Sequence, residues 1–310
     1  MKGIGYAICT TGGYMTQKQK RKYKEYAENA LYVIPSIILV TLMIYIPFVM
    51  SGYYSLTEWN GISKAPKFIG LENFVNLFSS KGEFVTSLLF TTKYTIAFVL
   101  FSNVFALALA VALTQKFKLA NVFRGVFFIP YIMSMTIVGF IWQFIFTQGF
   151  AVLEKMTGWS IWGKSFLGDP KLAFYSVAFV GIWQQLGFYI VLYIAGLQAV
   201  PADVLEAATV DGASSWQRFF KVTVPLLGPS FTTCIFMSLT NALKVFDIIL
   251  ALTKGGPGGS TYSVTLQIYK DAFTNNRYGM GSAESIVYFL FVLAITQLVL
   301  KLFSSKEVEI

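Results

Sequence analysis

Glu206-Ala207-Ala208-Thr209-Val210-Asp211-Gly212, closed by Pro225, is a short stretch of polar and small residues set between two long apolar runs. A chain that only crosses a bilayer has no use for such a segment. A chain that is gripped from one side by a soluble partner does. Pro201 suits the first turn of a helix. Val204, Leu205 and Ala208 recur at helical spacing, as do Trp216, Phe219 and Phe220. Gly212 separates the two groups and permits a tight turn. Residues 201–225 therefore read as two short amphipathic helices meeting at an elbow. Ala207 and Ala208 let another surface approach closely, and Glu206 and Asp211 offer carboxylates to a basic partner.

Outward from the elbow the chain is apolar. Hydrophobic residues make up 55% of it and charged residues 13%, against about 25% charged in a soluble domain. So few charges do not cover a water-facing surface. Spans of hydrocarbon about 30 Å thick are available at residues 30–54, 84–114, 122–146, 172–199, 226–252 and 282–303. The pattern predicts an all-α polytopic membrane protein with six transmembrane helices. An even number of spans puts both ends on one side. The cluster Lys18, Lys20, Arg21, Lys22 and Lys24 beside the first span assigns that side to the cytoplasm. The expected division is a cytoplasmic tail over 1–29, a membrane domain over 30–303 and a second cytoplasmic tail over 304–310. Residues 1–16 read as a disordered tail, with Met15 an alternative start.

Several functions are excluded at this level. The net charge of +9 is scattered over loops, with no basic helix or aromatic RNA-binding motif, so nucleic acid is not a partner. There is no His, and the cysteines are Cys9 and Cys234, too few for a structural zinc site; no metal or cofactor is expected. Gly158-Trp-Ser-Ile-Trp-Gly163-Lys164-Ser165 fits the phosphate-loop pattern G-x4-G-K-S. That loop works between a buried strand and a helix. Here no strand precedes it, Asp169-Pro170 interrupts the chain soon after, and the topology places it outside. The chain is therefore expected to hydrolyse nothing itself and not to be an enzyme. In the outer loop 55–83, apolar positions 71, 74, 75, 77 and 78 suit a short helix lying at the surface.

The elbow resembles the EAA motif of ABC importer permeases, EAA-x3-G-x9-I-x-L-P. Glu206, Ala207, Ala208, Gly212 and Pro225 match its spacing, and Val222 and Val224 stand where the family has Ile and Leu. A second patch, Asn241-Ala-Leu-Lys244-Val-Phe246-Asp247 followed by Leu252-Thr253-Lys254-Gly255-Gly256-Pro257-Gly258-Gly259-Ser260, resembles the carbohydrate-uptake group of these permeases. Trp59-Asn60-Gly61 and Gly70-Leu71-Glu72-Asn73-Phe74 agree with the shorter, MalF-like partner of the usual heterodimer. The resemblance covers about 30–303.

It implies a type I ABC importer permease fold and one subunit of an ATP-driven, binding-protein-dependent sugar importer in a bacterial plasma membrane. The implied partners are a second homologous permease, two ATP-binding subunits and an extracytoplasmic sugar-binding protein. By the same resemblance Glu206, Ala207, Ala208, Asp211 and Gly212 couple the chain to its ATPase. Gly255, Gly256, Pro257 and Gly258 are candidates for touching the binding protein.

Polar residues inside the spans are the candidates for the substrate pathway. Lys244 and Asp247 stand at i, i+3, so on one helix they pair with each other or face the pathway together. Gln184, Gln185 and Asn241 supply the amides that sugar hydroxyls require, and Tyr189 an aromatic hydroxyl. Asn103 and Glu284 are further polar candidates, with Trp142 and Tyr193 less favoured. Two rival readings remain at this stage. One is an ABC permease for a non-sugar solute. The other is an ion-coupled secondary transporter using Asp247 or Glu284, against which the lack of symmetry between the halves counts.

Overall fold

The computed structural model describes residues 17–79, 83–115 and 118–304. The expectations for residues 1–16, including Cys9 and Met15, and for residues 305–310 lie outside the described residues. So do the charges of Lys81, Lys116 and Lys306.

Two units are distinguished, one ending at Tyr53 and the other beginning at Tyr54. The first is a helix, α1, running Gln17–Val40, through a π-turn at Thr41–Tyr45, into Ile46–Tyr54. Its part from Glu28 to Tyr54 is long and apolar enough to cross a membrane.

The second unit starts with a small antiparallel ribbon, β1 (Thr57–Glu58) and β2 (Lys67–Phe68), and a short helix α2 (Glu72–Leu77). The surface helix expected from residues 71–78 is therefore present. It buries Asn73 and Leu77 and exposes Leu71, Val75 and Phe78. Long helices follow: α3 (Glu83–Thr114), α4 (Ala120–Ile132), α5 (Met135–Thr157, including a π-turn) and α6 (Pro170–Ala199). Then come the elbow helices α7 (Ala202–Val210) and α8 (Ser215–Leu226), with α9 (Gly228–Leu243), α10 (Asp247–Leu252), α11 (Val264–Tyr269, extended by a π-turn to Thr274) and α12 (Tyr278–Ser304).

Among the described residues five helices pass as membrane-crossing by length and composition, and α8 with α9, bent by 67°, bring the number to six if the pair is counted as one span. Four of the expected spans coincide with four of these helices, whereas the stretches 122–146 and 226–252 only partly overlap Met135–Thr157 and the bent pair and are not continuous helices. The stretch 122–146 breaks at Met133–Ser134, between α4 and α5. The stretch 226–252 bends at Leu227 and breaks again at Lys244–Phe246.

Backbone amides cannot be left unpaired in hydrocarbon, which is why the spanning elements are helical. The α6 start shows the local logic. Asp169 accepts hydrogen bonds from the backbone of Lys171 and Leu172, and Pro170 occupies the first helical position. α3 and α6 run parallel through the core. Phe90 meets Phe174, Phe98 meets Tyr189, and Tyr193 donates to Asn103 Oδ1 at 2.7 Å. α4 crosses α6 where Gly187 lies against the Phe127 carbonyl, so closely that a Cβ there would collide with backbone. α9 packs antiparallel to α6, with Asn241 beside Gln185 and Gly196 beside Ser230.

These directions put the elbow at one end of the second unit. The opposite end is closed by a cap of the β1–β2 ribbon, α2, α11 and the starts of α3 and α12. Asn73 donates to the carbonyls of Ser55 and Thr57, both at 2.9 Å, and Gly279 N donates to Trp59 O at 3.1 Å.

Candidate functional site

The elbow forms as two helices. α7 follows Pro201, and Gly212 takes φ +78°, the left-handed conformation that ends α7 and turns the chain. α8 then starts on a capping box. Ser214 accepts from the Gln217 backbone, and the Gln217 side chain accepts from the Ser214 backbone at 2.8 Å. Arg218 donates across the turn to Thr209 Oγ1 at 2.5 Å, and Thr209 in turn donates to Leu205 O at 2.8 Å.

Glu206, Ala207, Asp211 and Gly212 are exposed, and Ala208 is half-buried. Beside them stand exposed apolar side chains, with Val210 at 88%, Trp216 at 73% and Phe220 at 57% exposure. The Trp216 and Phe220 rings stack at 5.6 Å. The stapled projection thus brings exposed carboxylates, a small-residue face and bare aromatics together on one surface.

The substrate-pathway candidates divide. Gln185, Tyr189, Asn241, Lys244 and Asp247 come together at the break between α9 and α10. Asn241 Nδ2 reaches Gln185 Oε1 at 3.4 Å and the Tyr189 hydroxyl at 3.2 Å. Gln185, Asn241, Lys244 and Asp247 line a small cavity of about 150 Å3, together with Tyr94 and Phe98. Gln184 is turned elsewhere and donates to Met133 O at 3.1 Å, at the α4–α5 break.

Of the two arrangements expected for Lys244 and Asp247 from their i, i+3 spacing, no ion pair forms between them, and both line this one cavity. The helix ends at Leu243 and restarts at Asp247, so that spacing no longer places them on one face. The break is held from outside. The Tyr288 hydroxyl donates to Leu243 O, and Thr265 Oγ1 donates to Val245 O at 2.6 Å. Free carbonyls at a broken helix are thereby satisfied without closing the cavity. Thr265 and Tyr288 were not singled out in the sequence, because nothing local ties them to Leu243.

Among the further candidates, Asn103 and Tyr193 belong to a buried tie with Ser238, not to the cavity. Glu284 lies at the cap end. Trp142 packs among Phe146, Phe179 and Trp183. Of the four residues considered for touching a binding protein, Gly258 is exposed, Gly256 and Pro257 are half-buried, and Gly255 is buried against Tyr262.

The phosphate-loop look-alike is a helix end. α5 precedes it, Gly158 (φ +69°) caps that helix, and the Glu154 carboxylate occupies the space over Gly163. An acid there repels phosphate.

Comparison with known proteins gives one consistent set. The family model described as "Binding-protein-dependent transport system inner membrane component" matches residues 102–306. The chain is 38% identical to the "Probable starch degradation products transport system permease protein AmyD" of Thermoanaerobacterium thermosulfurigenes, over 90% of this chain and 94% of that one. It is 34% identical to the "Multiple sugar-binding transport system permease protein MsmF" of Streptococcus mutans, over 90% and 95%. It is 33% identical to the "Trehalose/maltose transport system permease protein MalF" of Thermococcus litoralis, over 91% and 95%. In three dimensions it resembles a chain of a bacterial ABC transporter that imports the acidic polysaccharide alginate. The TM-score is 0.77, the identity 22%, and the likeness covers 93% of this chain and 98% of that one.

Proposed function

The chain belongs to the family of binding-protein-dependent transport system inner membrane components, and from that membership we propose that it is one of two permeases in an ATP-driven importer of sugars. Its fold is that of the type I ABC importer permeases, and it is a multi-pass membrane protein. The assignment to sugar rests on the names of the relatives, which concern starch degradation products, multiple sugars, and trehalose and maltose.

A second homologous permease completes the pathway, two ATP-binding subunits supply the energy, and a sugar-binding protein delivers substrate from outside. Both termini face the cytoplasm, which puts the elbow on the ATPase side and the cap outside.

The observation that carries this reading is the elbow, a stapled pair of helices presenting Glu206, Ala207 and Asp211 beside exposed Val210, Trp216 and Phe220. It fits a cleft in each ATPase. Closure of the ATPases on ATP moves the elbows, and the permeases turn from inward-open to outward-open. Inverting such an equilibrium from 1:99 to 99:1 requires about 5.5 kcal/mol of differential binding. Inside the bilayer, Gln185, Tyr189, Asn241, Lys244 and Asp247 form this chain's share of the pathway. Amides and hydroxyls there exchange hydrogen bonds with sugar hydroxyls while the rings of Tyr94 and Phe98 cover their C–H faces. At the cap side, Lys254 and Gly258 are the parts of the Gly-rich loop exposed to a binding protein.

The test is reconstitution of the permease pair, ATPase and binding protein in vesicles, with sugar uptake and ATP hydrolysis measured together. Glu206→Ala is expected to leave ATP hydrolysis running while uptake falls severalfold. Uptake and hydrolysis both at wild-type levels would refute the coupling role of Glu206.

A further inference from the structure

At the cap end two buried carboxyl side chains meet. Asp271 belongs to the π-turn that extends α11, and its side chain is 2% exposed. Glu284 stands near the start of α12 and is 1% exposed. Their carboxyl groups are in hydrogen-bond contact. Beside that contact the two elements are closely packed. Gly281 of α12 lies against Ala272 of the π-turn, where an added Cβ would stand 2.9 Å from the Ala272 Cβ.

An ionised carboxylate accepts hydrogen bonds and donates none, so two of them cannot bond to each other. Two like charges in contact and away from water cannot both persist either. One proton therefore belongs to the pair.

The donors around the pair decide which group carries it. Asp271 Oδ1 accepts from the Arg277 guanidinium and from Asn275 Nδ2 at 2.8 Å, and Oδ2 accepts from Gln267 Nε2 at 3.0 Å. These three donors, one of them a cation, fix Asp271 as the ionised member. No donor reaches Glu284 Oε2. The proton belongs on Glu284.

The neighbouring charges agree. Arg277 is the cation that faces Glu284, and Asp271 already holds it. From α3, Glu83 faces the pair as a further acid, and Lys270 of α11 is bound to it at 3.0 Å. On the ribbon and α2 stand Glu58, Lys67 and Glu72, and Lys67 pairs with Glu58 at 3.3 Å. With Lys67, Lys270 and Arg277 each matched to one acid, a charge on Glu284 would be unbalanced.

We propose that Glu284 and Asp271 form a proton-binding site, in which Glu284 holds one proton, donates it to the Asp271 carboxylate, and so locks the start of α12 to α11. Loss of the proton puts two carboxylates in contact and parts the two elements. The start of α12 also holds the ribbon, through Gly279 N and Trp59 O, so the whole cap loosens with it. The lock acts at the cap: the cavity that Asp271 and Glu284 border shares no lining residue with the one at the α9–α10 break. Nothing in it depends on which solute the chain moves.

The test uses the assembled transporter in lipid nanodiscs. Glu284→Gln keeps a donor for Asp271 and removes the titrating group. Above about pH 4.3 an unfolded chain gives up the Glu284 proton that the native one keeps. Wild-type stability therefore falls as pH rises, by about tenfold in the folding constant per pH unit, and the variant escapes that fall. Its thermal midpoint, measured against wild type, is expected to climb steadily between about pH 5 and 8. Infrared spectra at about pH 8 should show a protonated-carboxyl band in wild type, well above the usual carboxylate range, that is absent from Glu284→Gln. The band should move in Asp271→Asn, which keeps the test decisive if Glu284→Gln fails to assemble.

The inference is overturned if wild type lacks the band, if the band survives Glu284→Gln, or if Asp271→Asn leaves it unmoved. A midpoint difference that does not change between about pH 5 and 8 overturns it equally. No transport is measured, so these outcomes are separate from the vesicle experiment on Glu206.

Discussion

The Arg218 guanidinium donates to Thr209 Oγ1 at 2.5 Å, across the turn at Gly212. Thr209 passes the connection to Leu205 O, so α7 and α8 are tied side chain to backbone as well as through the chain. A force applied to α7 would therefore be delivered to α8, and through the 67° bend to α9, whose far end lines the cavity at the α9–α10 break. Thr209→Val keeps the shape and removes the acceptor. It is expected to leave assembly and ATP hydrolysis near wild type while lowering the sugar moved per ATP severalfold, with Arg218→Ala behaving alike. Simultaneous uptake and hydrolysis measurements decide it, and an unchanged ratio in both variants removes the staple from the coupling path.

Gly212 and Gly256 both have positive φ, but their substitution should differ in cost. At Gly212 no atom lies within 4 Å of an added Cβ. Gly212→Ala therefore carries only the left-handed backbone penalty, about 1–2 kcal/mol. At Gly256, φ 71° with ψ −178° is a region open essentially to glycine alone. An added Cβ there would also come within 2.5 Å of Thr261 Oγ1. Gly256→Ala is expected to lower the thermal midpoint in nanodiscs well below that of Gly212→Ala. Equal midpoints would show that the loop adapts.

The elbow was readable in the sequence because its signals are local: Pro201, the spacing of Val204, Leu205 and Ala208, and Gly212 at the turn all act within one helical turn of themselves. The spans were readable from composition. The breaks at Met133–Ser134 and Lys244–Phe246 were not. Neither contains Gly or Pro, and the second is held by Thr265 and Tyr288, 20 and 45 residues beyond their acceptors. The same kind of non-local pairing ties Gln267 to Glu83 across the cap, which no sequence window contains. Gln184 and Gln185 look alike in the sequence, but on a helix their side chains diverge by about 100°, and only Gln185 faces the cavity.

Asn103 is the centre of a buried tie between three helices. Its Oδ1 accepts from the Tyr193 hydroxyl at 2.7 Å and its Nδ2 donates to Ser238 Oγ at 2.9 Å. Hydrogen bonds between membrane helices average about 0.6 kcal/mol. Tyr193→Phe, which removes one bond, is expected to destabilise by about that amount. Asn103→Leu removes the acceptor of the buried Tyr193 hydroxyl, while Ser238 keeps its bond to Ile235 O, and should cost about 1–3 kcal/mol. Thermal unfolding of both variants and of Asn103→Leu with Tyr193→Phe closes a double-mutant cycle. Strict additivity would show that Asn103 and Tyr193 are not coupled.

The cap end should also respond to pH in a defined direction. Burial opposes the charge of Asp271, whose side chain is 2% exposed. Hydrogen bonds from Arg277 and Asn275, with the charge of Arg277, outweigh it and hold the Asp271 pKa below the usual carboxylate value. A carboxyl with a depressed folded-state pKa contributes stability that is fully present above its unfolded value, about 3.9, and is lost as pH falls through its folded value. Lys270 works in the opposite sense. Its hydrogen bond to Glu83 raises its pKa, so its contribution is present below its unfolded value, about 10.4, and is lost as pH rises past that. That pair is largely exposed and adds little. The difference in thermal midpoint between wild type and Asp271→Asn is therefore expected to shrink as pH falls below about 4. A difference that holds constant down to pH 3 would mean that the Asp271 charge does not stabilise the cap.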